Sequence, residues 1–560
     1  MRLVWKPGIA CLSLVCLTAV VQAQTPPPPK LVVVVVVDQL RADQLPRWNQ
    51  SFLPARSKSG TPGGFRYLME EGAYFPLAQY QHLQALTAVG HATIMTGAFP
   101  YQHHIILNEW LHPETGEEIH AATDPRFPIV GNAKGFVDKG ISPRSLSGTT
   151  FIDELKNSGY QSKAVSVALK ERSAVLLGGH RADLALWYNR SAASWISSRY
   201  YLPDGKLPDW VNSFNESLKS QTESTLHWEA NPKESGTSLP DNRYLEKKSP
   251  LEEIGLNFPH KTQGNSRHAL LFPYGVQITT DMAVTALEAM KLGKGPHTDV
   301  LAVSYSSHDV VGHTFGPNSR ELEFLATFED KMISRLLTSI DQQVGLKNTL
   351  FVLTSDHGAS PLTEYLQAVN VPAGRIDEAK ILKTCEEIMV KAFGKAKHGT
   401  WMSGYSNLNY YINHNALRAA GLDVMTVRKR LGRDIRLQAK IMDNMLYAFT
   451  GEDVRERTLP PGIFTEQILR TYVEGRSGDI VFIPKPYHVY STVPTVHVTG
   501  YSYDRYVPLL MAGPGIKPGR YGETVNIVDI APTLAFLSGT VPPSGAEGRV
   551  LFEALRNGTK

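Results

Sequence analysis

Cysteine is nearly missing from this 560-residue chain. There are three, Cys11, Cys16 and Cys385, so a fold built on disulfides is excluded. An excess of charge is missing too. Lys and Arg number 57 against 53 Asp and Glu, a formal net charge of +4. That is small for this length and excludes the basic field a nucleic-acid partner needs. Membrane-length apolar runs are also missing. Ile9 to Val21 is apolar but falls short of the roughly 20 residues of a span. With 42% apolar and 20% charged residues, the chain is neither a disordered tail nor a polytopic membrane protein.

What is present begins with an export signal. Arg2 and Lys6 give a positive start, Ile9–Val21 an apolar stretch, and Val21-Gln22-Ala23 the small residues of a cleavage site. Residues 1–23 read as a secretory signal peptide cleaved near Ala23–Gln24. Val15 before Cys16 argues against a lipoprotein, so no stable membrane anchor is expected. Cleavage leaves Cys385 as the one cysteine and places the protein in a bacterial periplasm. Residues 24–560 suit one large α/β domain with insertions.

After a Pro-rich spacer at Thr25–Pro29, Leu31 to Val37 is an unbroken apolar run, six of its members valine. Such a run predicts a strand buried on both faces, as in a parallel sheet. It ends in Asp38. A second strand, Val300–Tyr305, leads into Ser306-Ser307-His308-Asp309, and a third, Thr349–Thr354, into Ser355-Asp356-His357-Gly358. Open α/β sheets bind ligands at the carboxyl ends of their strands. Between strands two and three, Asn318 and Glu321 have capping-box spacing. Leu325, Phe328, Met332, Ile333, Leu336, Leu337 and Ile340 then repeat at helical spacing. A right-handed strand–helix–strand crossover is expected. Residues near 190–275 are polar and weakly periodic and read as an insertion. A second insertion is expected near 360–490, with a strand at Leu408–Ile412 and a basic stretch at 428–440. The core resumes at Val507–Ala512 and Ile527–Leu537.

Asp309 and His313 are four apart, so on a helix both face one metal. Asp356-His357 and Asp38 stand at strand ends, and His497 precedes the last core strand. Each residue alone has an ordinary structural explanation. Together, three Asp and three His in an exported chain suit two divalent cations of the zinc class. Thr87 opens a short helical segment, where free N–H groups favour an anion. Its hydroxyl becomes a nucleophile once a metal lowers its pKa; otherwise it is only a helix cap. Thr93 and Thr96 lie within the helix, where their hydroxyls face the backbone.

These motifs resemble the alkaline phosphatase superfamily, in its nucleotide pyrophosphatase/phosphodiesterase-like branch. They are most similar to the single-chain periplasmic alkaline phosphatases with a threonine nucleophile. The segments that carry the resemblance are Val37-Asp38-Gln39-Leu40-Arg41, Thr87-Ala-Val-Gly-His-Ala-Thr-Ile-Met-Thr-Gly97, Ser307-His-Asp-Val-Val-Gly-His313, Thr354-Ser-Asp-His-Gly358 and His497, in family order. The resemblance implies an α/β/α sandwich with a mostly parallel central sheet and inserted cap segments. It implies two Zn²⁺ ions, one held by Asp309, His313 and His497 and the other by Asp38, Thr87, Asp356 and His357. The family shows His-Gly at the late histidine where this chain has His497-Val498; His488 and His103-His104 are the other candidates. Asn108 matches an asparagine that donates to a phosphoryl oxygen. Lys170 and Arg172 match a Lys-x-Arg pair that monoesterases have and diesterases lack; by alternation both would face one side if the segment were extended.

The implied protein is a monomeric, broad-specificity phosphomonoesterase acting through a phosphothreonine on small phosphate monoesters. A sulfatase would need a C/S-x-P-x-R motif that the Thr87 segment lacks. A cofactor-independent phosphoglycerate mutase would have no export signal. A diesterase is the nearest enzyme rival, and an exported metal- or phosphate-binding protein the non-enzyme one.

Overall fold

An unbroken valine run is buried on both sides only inside a sheet, and that is where Leu31–Val37 lies. The structure is a computed structural model that describes residues 27–136, 140–222, 226–230, 241–245, 250–262, 268–490 and 493–556. The signal-peptide reading of residues 1–23 lies outside them. The strands that build the site are β1 (Leu31–Val37), β2 (Ala73–Gln79), β3 (Ala164–Ala168), β4 (Leu184–Asn189), β5 (Asp299–Tyr305), β6 (Thr349–Thr354) and β7 (Tyr506–Ala512). Their order across the sheet is β2-β7-β6-β1-β5-β3-β4. From β6 to β4 all neighbours are parallel, and β7 is antiparallel to both β6 and β2. β1 thus sits centrally, with β5 and β6 on either side. Three strand ends with acidic residues are brought to one edge.

The helices that matter are α1 (Thr87–Thr96), α2 (Glu171–Gly178), α3 (Pro273–Ala289), α4 (Ser307–Phe315), α5 (Arg320–Gln343) and α6 (Ile530–Ser538). Alternation along β1 divides its valines between two cores. Val33, Val35 and Val37 pack with Val276 and Met282 of α3 and Ile333 and Leu336 of α5. Val32, Val34 and Val36 pack with Ile94 and Met95 of α1 and Ile530 and Leu534 of α6. Helices cover both faces, which defines an α/β sandwich with a mostly parallel sheet.

The crossover helix starts one residue later than its expected cap pair. Ser319, not Asn318, caps α5, accepting from Leu322 N at 3.2 Å. Glu321 instead accepts from His260 Nε2 at 3.2 Å, and Asn318 Oδ1 accepts from Arg47. Tertiary partners have taken the two polar side chains that the spacing assigned to the helix end. Ser319→Ala should lower stability by about 1 kcal/mol, read as a lower urea midpoint with unchanged slope.

Residues 363–490 build a smaller antiparallel sheet from Met402–Ser406, Asn409–Ile412, Ile480–Pro484 and Met445–Thr450. The expected strand at Leu408–Ile412 starts one residue later, because Asn407 and Leu408 form a two-residue hairpin with φ of 48° and 64°. The basic stretch at 428–440 begins in the helix Val424–Arg436 and ends in the short helix Ala439–Met442. This unit buries Tyr410, Leu431 and Phe482 against Leu86, Val89 and Ile106, which flank or belong to α1. Within the polar 190–275 stretch, Ser194–Ser198 extends the central sheet beside β4. No helix of the described residues is long and apolar enough to cross a membrane.

Candidate active site

Asp38 follows β1, α4 follows β5, and Asp356-His357 follows β6. Parallel pairing of these three strands therefore places Asp38, Asp309 and His357 together. Asp309 and His313 lie on one face of α4, with Asp309 Oδ1 3.1 Å from His313 Nε2. His497 Nε2 is 3.2 Å from His313 Nε2 and 3.5 Å from Asp309 Oδ1. Asp38 Oδ1 is 3.4 Å from His357 Nε2, and Asp356 Oδ2 is 3.6 Å from it.

Among the described residues, the ligand atoms of Asp309, His313 and His497 lie within 4.8 Å of one another, as do those of Asp38, Asp309 and His357. Asp309 thus stands beside both groups, whereas the resemblance implied it in one. Asp356 borders the second group and also lies 3.2 Å from His91 Nδ1. His488 lies elsewhere, in a strand paired with Gly374–Ile376. His103 is hydrogen-bonded to Thr93 at 3.1 Å and His104 to Ser147 at 2.9 Å.

The donor set fits divalent cations. Each candidate-ligand imidazole donates Nδ1–H to a backbone carbonyl: His313 to Thr495 O at 2.7 Å, His497 to Ala85 O at 2.7 Å, and His357 to Gly358 O at 3.0 Å. That leaves Nε2 of each as the lone-pair donor. Among the described residues, Asp38 Oδ1 and Asp356 Oδ2 are buried without a hydrogen bond, a costly state for a carboxylate unless a cation meets it. Burial, with Asp356 close by, pushes the Asp38 pKa up to about 8. Burial pushes Asp356 up to about 6. Burial also opposes ionisation of Asp309, but His313 and Lys170 outweigh it and hold that carboxyl well below the usual range. Burial and His497 keep His357 far below the ordinary imidazole value, hence neutral. Burial lowers His497 as well, while at His313 burial is outweighed by the Asp309 carboxylate, which raises the imidazole. Crowded carboxylates and imidazoles shifted in this way are what a bound cation would compensate.

Thr87 is the first residue of α1, after extended Leu86, and is 1% exposed. Its Oγ1 is 3.5 Å from His357 Nε2 and 3.5 Å from Lys170 Nζ. Thr93 and Thr96 donate into their own helix, to Val89 O and Ala92 O. Gly90 allows α1 to settle this deeply, since a Cβ there would fall 2.2 Å from Asp356 O.

Lys170 Nζ donates to Asp38 Oδ2 at 2.6 Å and Asp309 Oδ2 at 2.7 Å, spanning both groups. The Lys170–Arg172 segment is not extended throughout. Lys170 is the extended cap of α2, and Arg172 lies in its first turn. Arg172 lines one cleft with Asn108, and its Nη1 donates to Glu171 Oε1 at 3.3 Å. Asn108 Oδ1 accepts from Ala88 N at 2.9 Å, which leaves the amide nitrogen as its donor toward a ligand.

Two further residues support the site. His91, one turn after Thr87, donates to Thr87 O at 2.7 Å and accepts from Ser304 Oγ at 2.9 Å; burial pushes its pKa down to about 4. Its i, i+4 spacing from Thr87 was the available signal. Asp504 Oδ2 accepts from Val498 N, Thr499 N and Thr499 Oγ1 at 3.2, 2.8 and 2.6 Å. It fixes the turn after His497 where a glycine was expected, and no local pattern announces it.

The family model for type I phosphodiesterase / nucleotide pyrophosphatase matches residues 32–493. The alkaline phosphatase PafA of Elizabethkingia meningoseptica is 31% identical over 93% of this chain and 93% of its own. The alkaline phosphatase PhoV of Synechococcus elongatus is 32% identical over 93% of this chain and 92% of its own. The crystal structure of wild-type PafA matches with a TM-score of 0.82 at 30% identity, covering 95% of this chain and 99% of that one. A solved PafA variant, in which one Thr is replaced by Ser and an Asn, a Lys and an Arg by Ala, gives 0.81 at 28% with the same coverage. Fold and relatives define an alkaline-phosphatase-like enzyme, a phosphoric monoester hydrolase, and the strand-end groups are candidates for its metal cofactor. The chain belongs to the type I phosphodiesterase / nucleotide pyrophosphatase family.

Proposed function

We propose that the protein is an exported di-zinc alkaline phosphatase that hydrolyses small phosphate monoesters of broad type through a phosphothreonine on Thr87. One observation carries the reading: the Thr87 hydroxyl lies 3.5 Å from both His357 and Lys170, beside the candidate ligand groups. The replaced Thr, Asn, Lys and Arg of the PafA variant stand in the same order and at the same spacings as Thr87, Asn108, Lys170 and Arg172, which supports reading these four as one set. Two zinc ions, held by Asp38, Asp356, His357 and Thr87 and by Asp309, His313 and His497, would lower the hydroxyl pKa and neutralise the leaving alkoxide.

The residues divide the remaining work. Thr87 Oγ1 forms a bond to phosphorus as the opposite ester bond breaks; its proton passes to solvent and the leaving alcohol takes one up. The positive end of α1 favours the phosphoryl oxygens, although Ala88 N there is taken by Asn108. Asn108, oriented by Ala88 N, donates its amide N–H. Lys170 and Arg172 place positive charge where a monoester carries two charges and a diester one. Water then enters from the side the alcohol left and cleaves the phosphothreonine. The pair favours the monoester over the diesterase alternative.

In this reading residues 24–560 form one catalytic domain with insertions near 190–275 and 360–490, working as a monomer in the periplasm after removal of residues 1–23. Purified mature protein should carry about two zinc per chain, measured by elemental analysis, and a chelator should abolish turnover. Asp309→Ala and His357→Ala should each lose metal with rate. Full zinc and full activity in either variant would refute the ligand assignment.

A further inference from the structure

Gln39 directly follows the acidic end of β1. Its side chain is 1% exposed, and its backbone is left-handed, with φ of 71°. That region disfavours every side chain with a Cβ, long ones included. Two hydrogen bonds hold it there. Its N–H donates to Asp356 Oδ1 at 3.1 Å, and its Nε2 donates to Asp309 Oδ1 at 2.7 Å. Asp356 follows β6 and Asp309 lies beyond β5, so one residue ties the carboxylates on both sides of β1.

The amide has one orientation. A carboxylate can only accept, so Nε2 must face Asp309 and Oε1 must turn away. Oε1 is buried without a hydrogen bond among the described residues. The room for it is Gly312, where a Cβ would fall 2.0 Å from that oxygen. Gly312 precedes His313 on α4, in the turn that also carries Asp309. The turn with two ligands therefore also holds the gap that admits the Gln39 amide.

We infer that Gln39 is a positioning residue that fixes the Asp309 carboxylate for cation binding, and that Gly312 is its matching space. The inference rests on the two-metal reading above. Neither residue touches substrate. Their effect falls on the affinity of the Asp309–His313–His497 group, because the oxygen that Gln39 holds, Asp309 Oδ1, is the one 3.1 Å from His313 and 3.5 Å from His497, while Oδ2 is held by Lys170 and the backbone N–H to Asp356 survives a change of side chain.

The test is zinc affinity, measured on the mature protein by competition with a chromogenic chelator. Gln39→Gly keeps the backbone N–H and suits a positive φ, which offsets part of the lost side-chain contact, so the fold should persist and is checked by a melt of the same sample. One zinc equivalent should bind about 10–100-fold more weakly, the range for loss of a partner that orients a ligand. The other should stay within about twofold by the same comparison. Gly312→Ala should weaken the same equivalent, because its methyl displaces the amide. In Gln39→Gly/Gly312→Ala the second change should add little, since nothing remains to displace. Wild-type affinity for both equivalents in Gln39→Gly, or effects of the two changes that multiply, would overturn the inference. A wild-type protein that takes up no divalent cation would overturn the two-metal reading and the inference with it.

Discussion

Thr87→Ala should abolish nearly all monoester turnover, a loss of about three to five powers of ten, as when a nucleophile is removed from an otherwise intact site. The fold should survive. Thr87 caps nothing: Leu86 occupies the cap position and its side chain makes no cap hydrogen bond. Deleting a hydroxyl 3.5 Å from its nearest polar neighbours removes no short hydrogen bond. Zinc content should stay close to wild type, because the carboxylates and imidazoles remain. Thr87→Ser should keep part of the rate, since it retains the oxygen while losing the methyl that restricts it. Acid-quenched wild type should carry phosphate on Thr87, located by peptide mass spectrometry. Phosphate found only on another residue would refute the mechanism.

The second large effect concerns ester preference. Lys170→Ala/Arg172→Ala should lose monoester activity by about two to four powers of ten, at roughly 1.5–3 kcal/mol per charge-assisted contact. Diester activity should fall much less. The two contacts need not add, as both act on one phosphoryl group. Lys170 brings a complication that spacing alone does not reveal: it also bridges Asp38 and Asp309. Its removal takes a cation from two crowded carboxylates and changes metal affinity too. The comparison therefore belongs at saturating zinc, with an aryl phosphate and its methyl diester measured on one sample. Equal loss on both substrates would mark the pair as structural and remove the main support for monoester preference.

The sheet was legible because its strands are extreme cases. Six valines in a run admit one environment, and each following acidic residue marks a strand end where ligands gather. The Asp309–His313 pair was legible because a helix repeats every 3.6 residues. The start of α5 was misplaced by one residue because His260, distant in sequence, claims Glu321. The position of Asp309 beside both ligand groups was not legible either. Motif spacing assigns a residue to an element, whereas sharing depends on how β1, β5 and β6 line up in register. Gln39 stood inside a motif, yet its left-handed backbone and the gap at Gly312 are properties of a contact across 270 residues. The fixed turn after His497 depends on Asp504, which no spacing rule would connect to it.

The three ligand imidazoles rest on main-chain carbonyls of Thr495, Ala85 and Gly358, and this has a consequence for mutational robustness. An anchor made of peptide groups cannot be deleted by changing one side chain, and it carries no proton to gain or lose. Each Nδ1–H contact should thus outlast protonation of the carboxylates around it, while an anchor built on carboxylates would slacken as those groups protonated. Evolution can repaint the surface of the three segments freely, provided their backbone paths hold. Damage should come instead from insertions, deletions and proline substitutions near Ala85 and Thr495, which would swing two rings at once without altering a single ligand.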